Sequence, residues 1–468
     1  MRVFFVNHSV APVSMGGAER SLLKLVEDWQ ASNPDFEPFF ITKAPRGSFI
    51  RELEARGWPF LALRFNGWAL PSDSMKPGTK SEFAIRDYNA TKRIIAEMEK
   101  QKPRLVVTNT VVAPWGAFAA AVLGIPHAWF VREYGDLDHQ LAFATSPKET
   151  FEDISYFSDV IFVNSNTLRD YVNNLTGRPD IHVCYPSLDV KAIRDKSLES
   201  PSLSGPRRQD SRSVQLVQVG RVSRGKGQDT AIRALSRVAS KGLDVKLAIV
   251  GSADESAYED HLKILARELG VADRVLFHGH DDNPFRFIHE ADICITASTN
   301  EAFGRTTLEY MILGKPVIAA ARGGSTELID DGISGMLFAP ESDEELADCL
   351  EHYLEKPDLI VEHGKAAMAR SVLFTDGQQG NSAAIEVVES LAIGEHGKPK
   401  LPKIARRWFE LPALVHGAYS EGGVSHESRV PLRGPRARLI AVVRRIPVVG
   451  RIARKAREFA RRPGGPRS

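Results

Sequence analysis

The sequence predicts an α/β protein built from two parallel-sheet domains in tandem. Short β-branched and apolar runs alternate with helical patterns through the first half of the chain, the rhythm of a parallel sheet wrapped by helices. A stretch rich in Ser, Pro and charge, LESPSLSGPRRQDSRS (198–213), then breaks the rhythm without any apolar period and reads as a linker. Beyond it the same alternation restarts and runs to about residue 375. A chain of 468 residues agrees, because a single hydrophobic core rarely grows to that size.

In the first half, RVFFVN is a buried-strand candidate, followed by a Gly turn and the helical AERSLLKLVEDW. Leu22, Leu25, Val26 and Trp29 share one face of that helix at three-to-four spacing. PRLVVTN (103–109), HAWFVRE (127–133) and DVIFVNS (159–165) are further strands, and Asn166 is placed to cap the helix that follows. In the second half VQLVQVG and VKLAIVG end on Gly220 and Gly251, and RVLFHG (274–279), ADICITA (291–297) and KPVIAAA (315–321) continue the series. Between them DTAIRALSRVAS turns Ile232, Leu235 and Val238 inward. NSAAIEVVESLA (381–392) reads as one more helix. The expected division is 1–195 for the first domain, 196–213 for the linker, 214–375 for the second domain, 376–395 for the last helix and 396–468 for a basic tail. Ligands of such sheets bind beyond the carboxyl ends of the strands, so the natural site is the cleft between the domains.

Composition excludes several classes. The three cysteines, Cys184, Cys294 and Cys349, are far apart, which argues against a disulfide framework and fits a reducing compartment. MRVFFVNHSV runs directly into a strand and does not read as a signal peptide. No run approaches the roughly 20 apolar residues of a membrane span. The formal charge of +2 conceals an asymmetry. Residues 401–468 hold 16 Lys and Arg against 4 Asp and Glu, so the tail carries +12 and the remainder −10. In VGRIARKAREFARR, Val449, Ile452, Ala453, Ala456, Phe459 and Ala460 fall on one helical face, with Arg451, Arg454, Lys455, Arg461 and Arg462 off it. That pattern suits an interfacial helix on an anionic membrane. No aromatic stacking platform supports a nucleic-acid partner. The expectation is a cytoplasmic protein, peripheral on the membrane.

Three motifs carry chemistry. In MGGAE, Gly16 and Gly17 stand where a strand turns into a helix, so backbone N–H groups can approach a phosphate. A plain tight turn is the alternative. In VGRVSRGKG (219–227), Arg221 follows a strand end and Lys226 lies five residues on between glycines. One guanidinium fork and one ammonium suit a diphosphate, and the spacing is not that of a Walker A loop. The third is TNEAFGRTTLEYMILGKPVIAAARGGSTELI (299–329). A helix is expected to start near Gly304 or Arg305, with Glu301 in the loop before it and Glu309 one turn inside. On one continuous helix these carboxylates would be about 12 Å apart; a loop start lets both converge on an elongated ligand. Carboxylates accept two hydroxyl hydrogen bonds each, which suits vicinal diols. A solvated helix glutamate is the alternative for Glu309. Ser325 and Thr326 are placed to cap the next helix beside Glu327.

Taken together, Gly-Gly after the first strand, GR…KG, and E-AFGRTTL-E-YMILGKPVIA…GG..E resemble the retaining glycosyltransferases of family 4, with the GT-B fold of two Rossmann-like domains facing across a cleft. The resemblance covers roughly 1–395 and is strongest from 215 to 345. It implies a nucleotide-sugar donor bound mainly by the second domain, and a glycan or lipid-linked acceptor on the first. Arg221 and Lys226 would hold the donor diphosphate, and Glu309 the ribose hydroxyls. Glu301 and the backbone of Ala302, Phe303, Gly304 and Arg305, with Thr306 following, would hold the donor sugar. Gly16 and Gly17 would approach the diphosphate from the first domain. FHGHDD (277–282) would meet the base, and the helix near 381–392 would cross back onto the first domain. The leaving phosphate oxygen would take the acceptor proton.

Cations and N–H groups aimed at the departing diphosphate stabilise the charge that develops there, so no metal is expected. Asp136 and Asp138 in GDLDH are the weak metal candidates. One position departs from the family pattern: the strand HAWFVREYG carries Arg132 and Glu133 where the family often has a His. Arg132 would meet a phosphate or an anionic acceptor and Glu133 a sugar hydroxyl; a structural ion pair is the alternative. His8, His278 and His280 are expected to be structural. A sugar-nucleotide epimerase of the same fold, or a degenerate member that binds a glycan, are the competing readings.

Overall fold

Strands whose residues are apolar on both faces must be covered on both faces, and that is how the chain is built. The computed structural model describes residues 1–9, 11, 15–71, 79–199, 213–253 and 255–394. Most of the linker and the whole basic tail lie outside these residues, and with them the amphipathic stripe at 449–462.

The first domain holds β1 (Arg2–Val6), β2 (Glu37–Lys43), β3 (Phe60–Leu63), β4 (Ala69–Pro71), β5 (Leu105–Thr108), β6 (His127–Val131), β7 (Leu141–Phe143), β8 (Val160–Val163) and β9 (Ile181–Val183). Seven of these form a sheet in the order β3-β2-β1-β5-β6-β8-β9, with β4 and β7 as a separate antiparallel pair. Every described pairing in the large sheet is parallel. The second domain holds β10 (Val214–Val219), β11 (Val245–Val250), β12 (Val275–Gly279), β13 (Ile293–Thr296), β14 (Val317–Ala320) and β15 (Gly335–Phe338). Their order, β12-β11-β10-β13-β14-β15, is that of a doubly wound nucleotide-binding sheet. The expected α/β architecture is therefore present.

The helices cover these sheets with their apolar stripes. In the Gly17–Ser32 helix Leu22, Leu25, Val26 and Trp29 are all fully buried, and in the Gln228–Ser240 helix Ile232, Leu235 and Val238 are too. The Asn381–Ile393 helix returns to the first domain, where Ala384, Ile385, Val388 and Ala392 join its core. Glu389 Oε1 there accepts from Trp29 Nε1 at 2.6 Å and from Asn33 Nδ2 at 2.7 Å.

Three local expectations are corrected. The Asn166–Thr176 helix is capped by Ser165, whose Oγ accepts from Leu168 N at 3.1 Å; Asn166 is its first residue. The Ser325–Leu328 helix starts after Gly324 with no side-chain cap, so Ser325 and Thr326 do not serve that role. The Val190–Ser197 helix overruns the expected linker start and packs on the second domain, where Ile193 is buried against the helices Phe285–Glu290 and Arg305–Ile312. Burial of one apolar residue, which chain order does not reveal, decides its allegiance.

Candidate functional site

Strand order reverses between β1 and β5 in the first sheet and between β10 and β13 in the second. Loops diverge at such points and leave a crevice beyond the carboxyl ends of the strands. The two edges face each other. A Cβ built on Gly17 would lie 3.7 Å from Arg305 Cδ, and one on Gly225 would lie 3.4 Å from the Asp138 carbonyl. Ser165 Oγ donates to the Ala302 carbonyl.

On the second-domain edge, the turn after β10 carries Arg221 and Lys226. Gln228 Nε2 donates to the Arg221 carbonyl at 2.9 Å, and Gln218 Nε2 to that of Lys226 at 2.7 Å. Gly227 makes the turn possible: its φ is +65° and a Cβ there would stand 2.1 Å from the Ala297 carbonyl oxygen. The loop after β13 is laced to this turn through Thr299 N, which donates to Gly225 O at 3.0 Å. Lys226 Nζ then reaches Glu301 Oε1 at 2.5 Å, and Ser298 Oγ donates to the same oxygen at 2.6 Å. Burial pushes the Glu301 carboxyl up, but Lys226 and the Ser298 hydroxyl outweigh it and hold it below the usual range.

The Arg305–Ile312 helix begins where the sequence places it, behind Gly304 and without a side-chain cap. Its seat is fixed from below by Tyr310 OH, which accepts from Val219 N at 2.7 Å, and by the Thr296–Thr307 hydroxyl contact of 2.8 Å. Glu309 is 6% exposed, so it is not a solvated helix glutamate; its Oε1 accepts from Arg305 Nε at 3.2 Å. Ala302 and Phe303 are buried, Phe303 against Tyr185 and Phe374. The carbonyls of Glu301 and Ala302 are taken by Gly324 N and Ser165 Oγ. This stretch therefore offers a ligand the uncapped N–H groups at the helix start, beside half-buried Thr306. Gly323 completes the floor, with φ +61° and no room for a Cβ against the Glu301 carbonyl.

On the first-domain edge, Gly16 precedes the Gly17–Ser32 helix, and a Cβ there would stand 2.8 Å from Glu19 Oε2. Arg132 and Glu133 follow β6, and both are buried. They do not pair with each other. Arg132 Nε donates to Asn109 Oδ1 at 2.8 Å, whereas Glu133 Oε1 accepts from Thr110 Oγ1 at 3.1 Å and Val111 N at 2.9 Å. Burial pushes the Glu133 carboxyl up to about 7, and burial lowers Arg132. His8, after β1, is held down to about 4 by burial despite Glu19 nearby. Asp138 is a turn former: its carboxylate accepts from Tyr134 N at 3.0 Å and Gly135 N at 2.8 Å. Among the described residues there is no group of three or more His, Cys, Asp or Glu arranged to hold a metal.

Buried polar atoms without a partner gather at these edges: both amide atoms of Asn7, His8 Nδ1 and Arg132 Nη2 on the first domain, Asn300 Oδ1 and Arg305 Nη1 on the second. Native interiors leave few such atoms, so their concentration marks a place built for a ligand.

Residues 203–370 match the family model described as "Glycosyl transferases group 1". The second domain is a glycosyl transferases group 1 domain. The chain is 28% identical over 220 residues to an N-acetylgalactosamine-N,N'-diacetylbacillosaminyl-diphospho-undecaprenol 4-alpha-N-acetylgalactosaminyltransferase of Campylobacter jejuni, covering 46% of this chain and 56% of that one. It is 30% identical over 233 residues to a D-inositol 3-phosphate glycosyltransferase of Corynebacterium aurimucosum, covering 47% and 54%. The chain thus spans about half the length of the curated relatives it matches. Anabaena Alr3699/HepE, solved in complex with UDP, superposes with a TM-score of 0.67 at 23% identity, covering 83% of this chain and all of that one. The fold is GT-B.

The structure brings Lys226, Glu301, Arg305 and Glu309 together on one edge. Arg221 stands exposed at the start of the same turn. The FHGHDD loop ties itself together, with His278 Nε2 3.0 Å from Asp281 and His280 Nε2 3.1 Å from Asp282. Sequence reasoning missed His139, Asn109, Thr110 and the contact made by Glu327. Burial around the ring lowers His139, with Arg221 and Lys226 adding to the effect and Asp138 and Glu301 opposing it, although its outer face reaches solvent. Glu327 spans the domains: Oε2 accepts from Asn166 N at 2.8 Å, and Oε1 from Asn166 Nδ2 at 2.6 Å and Tyr185 OH at 2.5 Å. The only signal for the first-domain residues was their place at strand ends, as in LVVTNT.

Proposed function

We propose that the protein is a retaining glycosyltransferase, moving a sugar from a nucleotide-diphosphate donor to a glycan or lipid-linked acceptor in cell-surface polysaccharide synthesis. The observation that carries this reading is the pairing of Lys226 with Glu301 directly before the uncapped start of the Arg305–Ile312 helix. A cation, a carboxylate and free N–H groups on one edge of the sheet match the diphosphate and hydroxyls of such a donor. Arg221 and Lys226 take the diphosphate, Glu309 the ribose and Glu301 the transferred sugar. As the glycosidic bond breaks, negative charge grows on the departing diphosphate. Fixed cations and N–H dipoles stabilise it without reorganising. The leaving phosphate oxygen accepts the acceptor proton, and no metal ion is needed. Glu133, its carboxyl raised by burial to about 7, orients a sugar hydroxyl from the first domain.

The reading is tested with a panel of nucleotide sugars, scoring release of free nucleotide. UDP-sugars come first, because the similar Anabaena protein was solved with UDP and with UDP-glucose. Turnover with at least one donor that disappears in Glu301→Gln is expected. A folded protein that neither binds nor turns over any donor refutes the reading.

The basic tail brings the enzyme to an anionic membrane, where lipid-linked acceptors reside. No helix among the described residues is long and apolar enough to cross a membrane. Deleting 430–468 should abolish co-sedimentation with phosphatidylglycerol vesicles and leave donor binding intact. Equal sedimentation of the truncated chain refutes the role of the tail.

A further inference from the structure

Arg132 presents an unresolved charge. It is 8% exposed, and a guanidinium does not deprotonate to escape burial. Its position is fixed on three sides. Nε is held by Asn109 Oδ1 at 2.8 Å, the guanidinium carbon lies 5.1 Å from the Phe130 ring centroid, and its own carbonyl accepts from Asn164 Nδ2 at 3.0 Å. Asn109 in turn donates through Nδ2 to Ala18 O at 3.2 Å, which ties Arg132 to the first turn of the Gly17–Ser32 helix. Nη2 has no partner.

Arg305 is its counterpart on the other domain. Nε is committed to Glu309, Nη1 is buried without a partner, and the side chain lies against Gly17. Both guanidinium groups are tied to the same first turn of the Gly17–Ser32 helix, Arg305 by lying against Gly17 and Arg132 through Asn109 to the Ala18 carbonyl. Glu309 answers Arg305 and Glu133 lies within electrostatic reach of Arg132, yet each guanidinium keeps one buried N–H group without a partner at the domain boundary. Both forks suit phosphate oxygens better than they suit a neutral hydroxyl.

We propose that Arg132 and Arg305 form a clamp for a phosphate or diphosphate group that joins the two domains, separate from the cation pair Arg221 and Lys226. The phosphate belongs to the donor or to a phosphorylated acceptor. The clamp rests on the reading of this edge as a glycosyl-transfer site, and it adds a reason for domain closure: with the anion in place the two arginines bind the same group.

The test uses the full chain, without divalent metal, and follows inorganic pyrophosphate and UDP by calorimetry. Wild type is expected to bind pyrophosphate. Arg305→Gln and Arg132→Lys should each weaken it at least tenfold, and the double variant little further, because the two act as a unit. Arg305 is the more exposed of the two, so its variant keeps the test decisive if Arg132 variants misfold. Pyrophosphate affinity within twofold of wild type in Arg305→Gln overturns the clamp, as does wild type that fails to bind pyrophosphate. If UDP displaces pyrophosphate one for one, the clamp holds the donor phosphate; if both bind together, it holds that of the acceptor. A protein that binds pyrophosphate through both arginines, but no nucleoside diphosphate, retains the clamp and loses the glycosyltransferase reading.

Discussion

Lys226 and Glu301, 75 residues apart in the chain, form an ion pair of 2.5 Å at the mouth of the site, with side chains 22% and 19% exposed. If the pair meets a donor as proposed, each group is shared between its partner and that ligand. Removing one member leaves the other half-buried and short of its counter-charge, which typically costs about 1–3 kcal/mol. Lys226→Met should destabilise the fold on that scale, and Lys226→Met with Glu301→Gln should recover most of the loss while remaining inactive. Denaturant melts of the four proteins in this cycle check it. A double variant as unstable as the single one would mean that the pair is not what holds this loop.

Glu309 separates ground-state binding from chemistry. If it accepts ribose hydroxyls, Glu309→Ala loses charge-assisted hydrogen bonds of about 1.5–3 kcal/mol, a drop of about 10- to 100-fold in donor affinity. Glu309→Gln keeps an acceptor oxygen and should lose less. Calorimetry with the nucleoside diphosphate alone reads this out, because the ribose is present and the transferred sugar is not. Unchanged affinity in the Ala variant removes Glu309 from the binding site.

What the sequence made legible follows from how local each signal is. Both sheets were readable because central parallel strands such as RVFFV and VKLAIV are apolar runs that need no partner to be recognised. Four of the seven strands of the first sheet were named; β2, β3 and β9 were not. FLAL and IHV are short and their half-exposed residues show no period, whereas EPFFITK is a buried run whose apolar pattern was legible and was passed over. Glu301 and Lys226 stood out as residues at strand ends, but their contact depends on the order of β10 beside β13, which no stretch of sequence states. Arg132 and Glu133 were expected to meet either a ligand or each other. That they part company, one to Asn109 and the other to Thr110, is decided by the neighbouring β5 edge. His139 was hidden beside two aspartates that attracted a metal reading, whereas Asp138 closes the turn that presents it.

Glu327 couples the domains. Its carboxylate receives the first N–H of the Asn166–Thr176 helix, where the helix dipole also favours negative charge. The Asn166 side chain and the Tyr185 hydroxyl complete the contact. Glu327→Ala removes all three and should lower turnover by at least tenfold with donor affinity close to wild type, because every group it holds belongs to the first domain or to the connection that follows it. Glu327→Gln should retain part of the effect. Small-angle scattering of the Ala variant, with and without UDP, should show a wider domain separation; identical profiles and full activity would make the contact incidental.

Glu133 gives the fold a pH signature. Its carboxyl is raised by burial from 4.5 to about 7. Between those values the folded protein keeps the proton that the unfolded chain has lost, so stability falls as pH rises across that window. A shift of this size corresponds to about 3 kcal/mol. His8 works in the opposite sense. Burial lowers it from 6.5 to about 4, the unfolded chain holds the extra proton between those values, and stability rises with pH there. The two contributions overlap and offset each other in the wild type, so the signature is read in a variant. Glu133→Gln cannot ionise, and its stability relative to wild type should improve from pH 5 to pH 8 by an amount approaching 3 kcal/mol. Chemical denaturation at closely spaced pH values measures that difference directly. A difference that stays constant across the range would show that Glu133 titrates as an ordinary carboxylate, and would remove the protonated hydroxyl-orienting role proposed for it.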